Sequence, residues 1–115
     1  MYDLEERTEK LAIEVRNFIK ILPKTISNVE DSKQLIRSSG SIGANYIEAN
    51  ESLSRKDFVM RIKISRKEAK ESIYWLNIIQ ESNNLDEQTK IRCESLIKET
   101  GEIRNMLSAI LKKFV

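Results

Sequence analysis

A group of basic residues just past the middle of the chain has the clearest chemical potential. Residues 55–70 contain seven basic residues and two acids, a local charge of +5 on a chain whose net charge is +2. The basic residues are Arg55, Lys56, Arg61, Lys63, Arg66, Lys67 and Lys70. The four lysines among them are spaced by seven, four and three residues, which places all four on one face of a helix. Such a stripe is typical of surfaces that follow a nucleic-acid backbone.

An ordinary solvated helix face is the alternative interpretation of the same stripe. Its lysines then pair with acids one turn away, as Lys67 would with Glu71. Base-specific readout has no support, because there is no RNP-type aromatic pair and no zinc knuckle. The residues predicted to contact nucleic acid are Arg55, Lys56, Lys63, Arg66, Lys67 and Lys70.

Residues for catalysis or metal binding are mostly missing. The chain has no histidine, which excludes Ser-His-Asp and Cys-His catalysis, His-ligated zinc and the Glu-x-x-His di-iron motif. The one cysteine, Cys93, lies on an apolar helical stripe and is predicted to be a small buried residue. No stripe position holds two facing acids. We predict no catalytic residue, no metal, no cofactor and no enzymatic activity.

The composition bounds the class of protein. A chain of 115 residues with 40% hydrophobic and 33% charged residues fits one folded domain, 1–115. No apolar run approaches the ~18 residues that a membrane span needs. The charged start, MYDLEERTEK, and the single cysteine favour a cytoplasmic protein without a signal peptide and without a membrane partner.

Four segments carry a helical period and must position the basic residues. They span about residues 3–22, 32–53, 55–83 and 84–114, with Pro23 ending the first. The apolar stripe of the second segment runs from Leu35 to Leu53. Short connections between amphipathic helices predict an all-α, antiparallel up-down-up-down four-helix bundle.

Small residues lie in the middle of the second and third segments. Ser38 to Gly43 is a poor helix former, so this stretch is either a continuous helix supported by packing or a break. Gly40, Gly43 and Ala44 share one face. We expect them to admit a neighbouring helix at short range, opposite the small positions Ser65, Ala69 and Ser72 of the third segment.

Three apolar residues of the third segment lie off its main stripe: Ile64, Trp75 and Ile78. A second apolar side on a bundle helix needs a partner. They form either an interface between copies of the chain or a contact with a neighbouring helix of the same chain.

Motifs of the second and third segments resemble those of the bacterial four-helix bundle proteins, also called the rRNA intervening-sequence protein family. The first is Ser41-Ile42-Gly-Ala-Asn45-Tyr-Ile-Glu48, and the second is Lys67-Glu68-Ala69 followed by Trp75-Leu76. Many members carry proline where this chain has Gly43. The resemblance implies a ring-like homopentamer without enzymatic activity, and a relation to the accessory variability determinants of diversity-generating retroelements.

Two polar residues of the first motif are expected to act between helices. Asn45 is predicted to hydrogen bond across the interface, and Glu48 is predicted to pair with a base such as Arg66. Together these features predict a non-enzymatic, homopentameric bundle that binds RNA or a nucleoprotein through its third helix. The alternative is a protein-interaction scaffold, such as a retroelement accessory protein that docks a reverse transcriptase.

Overall fold

The computed structural model describes residues 3–114, which form four α-helices. They are α1 (Leu4–Lys20), α2 (Ile26–Asn50), α3 (Arg55–Ser82) and α4 (Glu87–Lys112). Each helix packs against the next and α4 returns to α1, in a body of 46 × 26 × 21 Å. The described residues contain no strand. The predicted all-α four-helix bundle is confirmed; the predicted domain ends, 1 and 115, lie outside the described residues.

Cross-helix hydrogen bonds show the antiparallel order. Between α2 and α3, Asn28 pairs with Asn83 at one end and Asn45 with Arg61 at the other. Between α3 and α4, Gln80 Nε2 donates to Glu94 at 3.2 Å near one end and Arg66 Nη1 donates to Ser108 at 3.4 Å nearer the other. In each case residue numbers rise on one helix as they fall on its neighbour. The up-down-up-down topology follows.

Every helix begins at a polar N-cap whose side chain accepts a backbone N–H. The caps are Asp3, Thr25, Ser54 and Asp86. Because Thr25 caps α2, that helix starts at Ile26 rather than near residue 32. Asp86 caps α4, so that helix starts at Glu87 rather than at residue 84.

Helix α2 runs without a break through Ser38 to Gly43, so the continuous-helix alternative is correct. A Cβ at position 43 would lie 2.7 Å from Thr8 Oγ1 of α1. At position 40 it would meet only Arg16 Nη2, at 3.8 Å, and Ala44 is exposed. The expectation that all three share a close contact opposite α3 is wrong: only Gly43 makes the close approach, and its neighbour is α1.

Serines join α2 to α3. Ser38 Oγ and Ser72 Oγ are 2.8 Å apart, and Ser65 Oγ donates to the Ile42 carbonyl at 2.7 Å. A side chain this short reaches the backbone of another helix only where the two helices lie close together. The small positions Ser65 and Ser72 of α3 therefore do face α2, as predicted, but they contact the Ile42 carbonyl and Ser38 there rather than the glycines.

The core follows the predicted stripes, with one exception. Leu53 is fully exposed, because α2 ends at Asn50 and Leu53 lies in the connection to α3. Cys93 is buried, and its Sγ lies 3.5 Å from the Leu76 carbonyl. Burial raises the pKa of the Cys93 thiol to about 11. This thiol stays protonated near neutral pH, as a packing role requires.

Candidate nucleic-acid interface

The basic residues of 55–70 separate into different surroundings. Arg55 lies over the Phe114 ring, 5.1 Å from its centroid. Arg61 faces α2, where its Nη1 donates to Asn45 Oδ1 at 3.3 Å. Lys56 is exposed in the first turn of α3. These three residues lie outside the groove described next.

A surface groove of about 550 Å³ lies between α3 and α4. It is lined by Lys63, Arg66, Lys67 and Lys70 of α3 and by Arg104 and Ser108 of α4. The four α3 residues follow the i, i+3, i+4, i+7 spacing of one helix face. Of the six predicted contacts, the fold brings four together and leaves Arg55 and Lys56 apart.

The two arginines are the best-placed cations of this groove. Both are half-buried, whereas the three lysines are exposed. Arg66 Nη1 lies 3.4 Å from Ser108 Oγ, to which it donates. This contact across the groove restrains the guanidinium between the two helices. Sequence reasoning missed Arg104 and Ser108, because α4 has no basic cluster and only packing brings its last turns beside Arg66.

No acid lines this groove, and none of its five cations forms an ion pair within residues 3–114. Lys67 makes no direct ion pair with Glu71, whose carboxylate bonds to Arg37, but its charge contributes to lowering the pKa of Glu71. The five positive side chains that line the groove repel each other and attract anions. The groove is therefore suited to a polyanion.

Charges on the side of α3 that faces α2 are matched. Arg37 of α2 donates to the buried Glu68 at 3.1 Å and also to Glu71. Burial alone would raise the pKa of Glu71, but the hydrogen bonds from Arg37 and Trp75 hold it below its ordinary value. The hydrogen bonds that Arg37 donates to Glu71 and Glu68 raise its own pKa. Sequence reasoning missed Arg37, the cation that neutralises the buried carboxylate.

The motif residues have mostly structural positions. Ile42 and Ala69 are in the core. Asn45 donates to the Ser41 carbonyl and Oγ, each at 2.9 Å, and accepts from Arg61, so its predicted contact between helices is present. Glu48 is exposed and takes no part in the ion pairs of residues 3–114. Its predicted pairing with Arg66 is wrong, because Arg66 turns toward α4.

The off-stripe apolar residues keep part of their surface accessible. Ile64, Trp75 and Ile78 are all half-buried, and Met60, one turn before Ile64, is exposed. Trp75 packs against the core and its Nε1 donates to Glu71 Oε2 at 3.2 Å. The fold of one chain covers this strip only in part.

A second groove, of about 700 Å³, lies between α1 and α4 and has mixed charge. Arg7 Nε donates to Glu99 and Arg7 Nη2 donates to Glu102, both at 2.6 Å. The bond from Arg7 lowers the pKa of Glu99 and raises that of Arg7. Leu11 and Leu96 form part of its lining. Its lining contains five acids and three bases, and Arg7 pairs with two of the acids, whereas the lining of the α3–α4 groove contains no acid.

Within 3–114, no group of three or more His, Cys, Asp or Glu residues is arranged to hold a metal ion. None of the helices in this range combines the length and apolar character needed to cross a bilayer.

Comparison with known proteins places the chain in a family. The family model described as "23S rRNA-intervening sequence protein" matches residues 2–109. A solved structure from Bacteroides thetaiotaomicron VPI-5482, a protein of unknown function from the S23 ribosomal protein family, has 32% sequence identity and a TM-score of 0.84. That match covers 96% of this chain and 99% of the other. No curated protein has significant sequence similarity. The chain belongs to the 23S rRNA-intervening sequence protein family.

Proposed function

We propose that this protein is a non-enzymatic, cytoplasmic nucleic-acid-binding bundle that holds an RNA backbone in the α3–α4 groove. The observation that carries the proposal is the lining itself: five cations and one serine, with no acid. The phosphate groups of a bound strand would supply the charges that the fold leaves unmatched. The family description refers to 23S rRNA, which makes RNA the first ligand to test.

The spacing of the cations suits a strand that runs along α3. From Lys63 to Lys70 the helix rises about 10.5 Å, and Arg104 faces this stretch from α4. Contacts of this kind bind phosphates without reading bases. We infer a sequence-tolerant interaction whose affinity depends strongly on salt.

The proposal includes assembly of several copies. The accessible strip of Ile64, Trp75 and Ile78 supports an interface between chains, and the family resemblance implies five subunits. A ring would repeat the basic groove and strengthen its combined field. The native mass in solution tests this part: we expect about five times the chain mass of 13.4 kDa, and a mass of one chain would contradict it.

RNA binding is tested by fluorescence anisotropy with labelled single-stranded RNA of about 20 nucleotides, at about 50 and about 200 mM salt. Contacts from all five cations predict a slope of log affinity against log salt of about −3.5, a loss of roughly 100-fold over this range. Lys63→Gln with Lys67→Gln should weaken binding and flatten the slope.

The matched control is Lys24→Gln with Lys90→Gln. It removes the same charge from two exposed lysines outside the groove, so net charge alone cannot explain a difference between the two double variants. Equal loss in both, or no binding by the unmodified protein at low salt, contradicts the proposal.

A second candidate is a scaffold that docks another protein, a reverse transcriptase if the retroelement relation holds. The α1–α4 groove favours it, because apolar side chains lie there among side chains of both charge signs and Ile91 at its edge is 57% exposed. A groove that combines apolar and charged side chains has the composition of an ordinary protein–protein interface. Loss of partner binding on Ile91→Asp, with RNA binding unchanged, would support this candidate.

A further inference from the structure

An exposed aromatic ring continues the basic face of α3. Tyr74 follows Lys67 by seven residues and Lys70 by four, so it lies on the same side of the helix. Tyr74 is 57% exposed, and its backbone position lies about 6 Å along the helix axis from that of Lys70. More than half of this residue's surface is open to solvent beside a cationic groove, where a ligand can reach it.

Neighbouring contacts hold this ring in place. The Tyr74 and Trp75 ring centroids are 5.0 Å apart at an interplanar angle of 76°, an edge-to-face contact. Trp75 in turn donates to Glu71, which Arg37 anchors to α2. The support comes from the matched side of α3, while much of the Tyr74 surface stays accessible. A restrained ring loses little conformational freedom when it binds a flat ligand.

We propose that the groove takes single-stranded nucleic acid, with one base stacked on Tyr74 and the adjoining phosphates along Lys67, Lys70 and Arg66. This inference rests on the proposed function. In a duplex each base is already stacked between its neighbours, whereas a single strand offers free base faces to aromatic side chains. Stacking accepts any base, which agrees with a groove that has no other base-reading group. Single strands, rather than duplexes, are then the preferred ligand.

The test compares Tyr74→Ala with Tyr74→Phe on two probes, an unstructured single-stranded RNA and an RNA duplex of equal length. Loss of a stacking surface typically costs about tenfold in affinity for a single strand, so Tyr74→Ala should show that loss, with duplex affinity unchanged. Tyr74→Phe keeps the ring and should bind like the unmodified protein. A single-stranded DNA should lose affinity in the same way, because stacking needs no 2′-hydroxyl.

The outcomes separate this inference from the one on which it rests. If Lys63→Gln with Lys67→Gln weakens binding but Tyr74→Ala does not, the groove binds backbone and the stacking inference is wrong. If Tyr74→Ala weakens single strand and duplex equally, the preference for single strands is wrong. A changed native mass of Tyr74→Ala would place the ring in a subunit contact and also overturn it. If no probe binds the unmodified protein, the proposed function itself fails.

Discussion

The surroundings of helix α2 and the α3–α4 groove differ in whether their polar and charged groups have partners within the fold. Around α2, Gly43 fits closely against Thr8, Ser38 bonds to Ser72, and Arg37 joins two glutamates. In the groove, five cations line an open space without an acid. Helix α3 contributes to both regions. Its acids are paired with Arg37 on the side that faces α2, whereas its cations line a groove without an acid on the side that faces α4.

The difference separates residues that build the fold from residues that are available to a ligand. A buried carboxylate such as Glu68 needs its partner, because an unpaired buried charge is costly. Exposed cations that repel each other contribute little to stability. We expect substitutions around α2 to lower stability, and substitutions in the groove to change binding while stability stays the same.

The largest expected effect is at Gly43. In Gly43→Ala the new Cβ would lie 2.7 Å from Thr8 Oγ1, and such overpacking typically lowers the free energy of unfolding by about 1–3 kcal/mol. Gly101 is the matched control, because it is also inside a helix and a Cβ there meets nothing within 4 Å. Gly101→Ala should raise stability by up to about 1 kcal/mol through helix propensity.

Thermal or urea unfolding measures the change in stability of Gly43→Ala and Gly101→Ala. Opposite signs confirm that the approach of α1 to α2, and not helix propensity, decides the requirement for glycine at position 43. Equal stabilisation of both variants would show that Thr8 moves aside without cost.

Arg37→Ala should have the next largest effect. It leaves the Glu68 carboxylate, which is 8% exposed, without its cation, and an unsatisfied buried group costs about 1–3 kcal/mol. Lys33→Ala removes an exposed cation from the same helix, where it pairs only with Glu30, and should change stability by less than about 0.5 kcal/mol. Similar losses of stability in Arg37→Ala and Lys33→Ala would contradict a special role for the cation that pairs with the buried carboxylate.

The effect of Arg37→Ala should depend on pH. The pKa of Glu71 is held below its ordinary value of 4.5 in the folded protein, so its ionised form stabilises the fold above that pH. This contribution is lost as pH falls through the lowered pKa. The stability difference between Arg37→Ala and the unmodified protein should therefore shrink below pH 4.5. A difference that grows in acid would rule out the ion pair as its cause.

Ser108→Glu should produce the smallest change in stability and yet a clear change in binding. It places an acid beside Arg66, whose Nη1 is 3.4 Å from Ser108 Oγ, and so makes the groove resemble the matched side of α3. We expect stability within about 0.5 kcal/mol and RNA affinity lower on the order of tenfold at low salt. Ser108→Gln, with similar volume and no charge, is the control. Unchanged affinity in Ser108→Glu would exclude this groove as the RNA site.

The helical stripes carried most of the prediction of the fold. Leu11, Phe18, Ile62 and Ile103 are buried as their spacing requires, because a residue's position on its own helix depends only on the period of that helix. Leu53 was mispredicted because the period continues past Asn50, where α2 ends.

Partners across helices were predicted less well. Asn45 does contact α3, but Glu48 does not, and the cation for Glu68 comes from Arg37. The lysine stripe of α3 was visible in the sequence, whereas Arg104 and Ser108, the other wall of the groove, were not. These contacts join residues that are tens of positions apart, and no local spacing relates them.

The sequence by itself determined four amphipathic helices, their antiparallel order, the small positions of α3 that face α2 and the excess of positive charge on α3. Only the tertiary structure decided that Gly43 meets α1, that Arg37 neutralises Glu68, and that the lysine stripe forms a groove with α4. The physical reason is that the period of a helix sets the direction of each side chain about its own axis. The rotation and height of one helix against another are set by how all the side chains pack together.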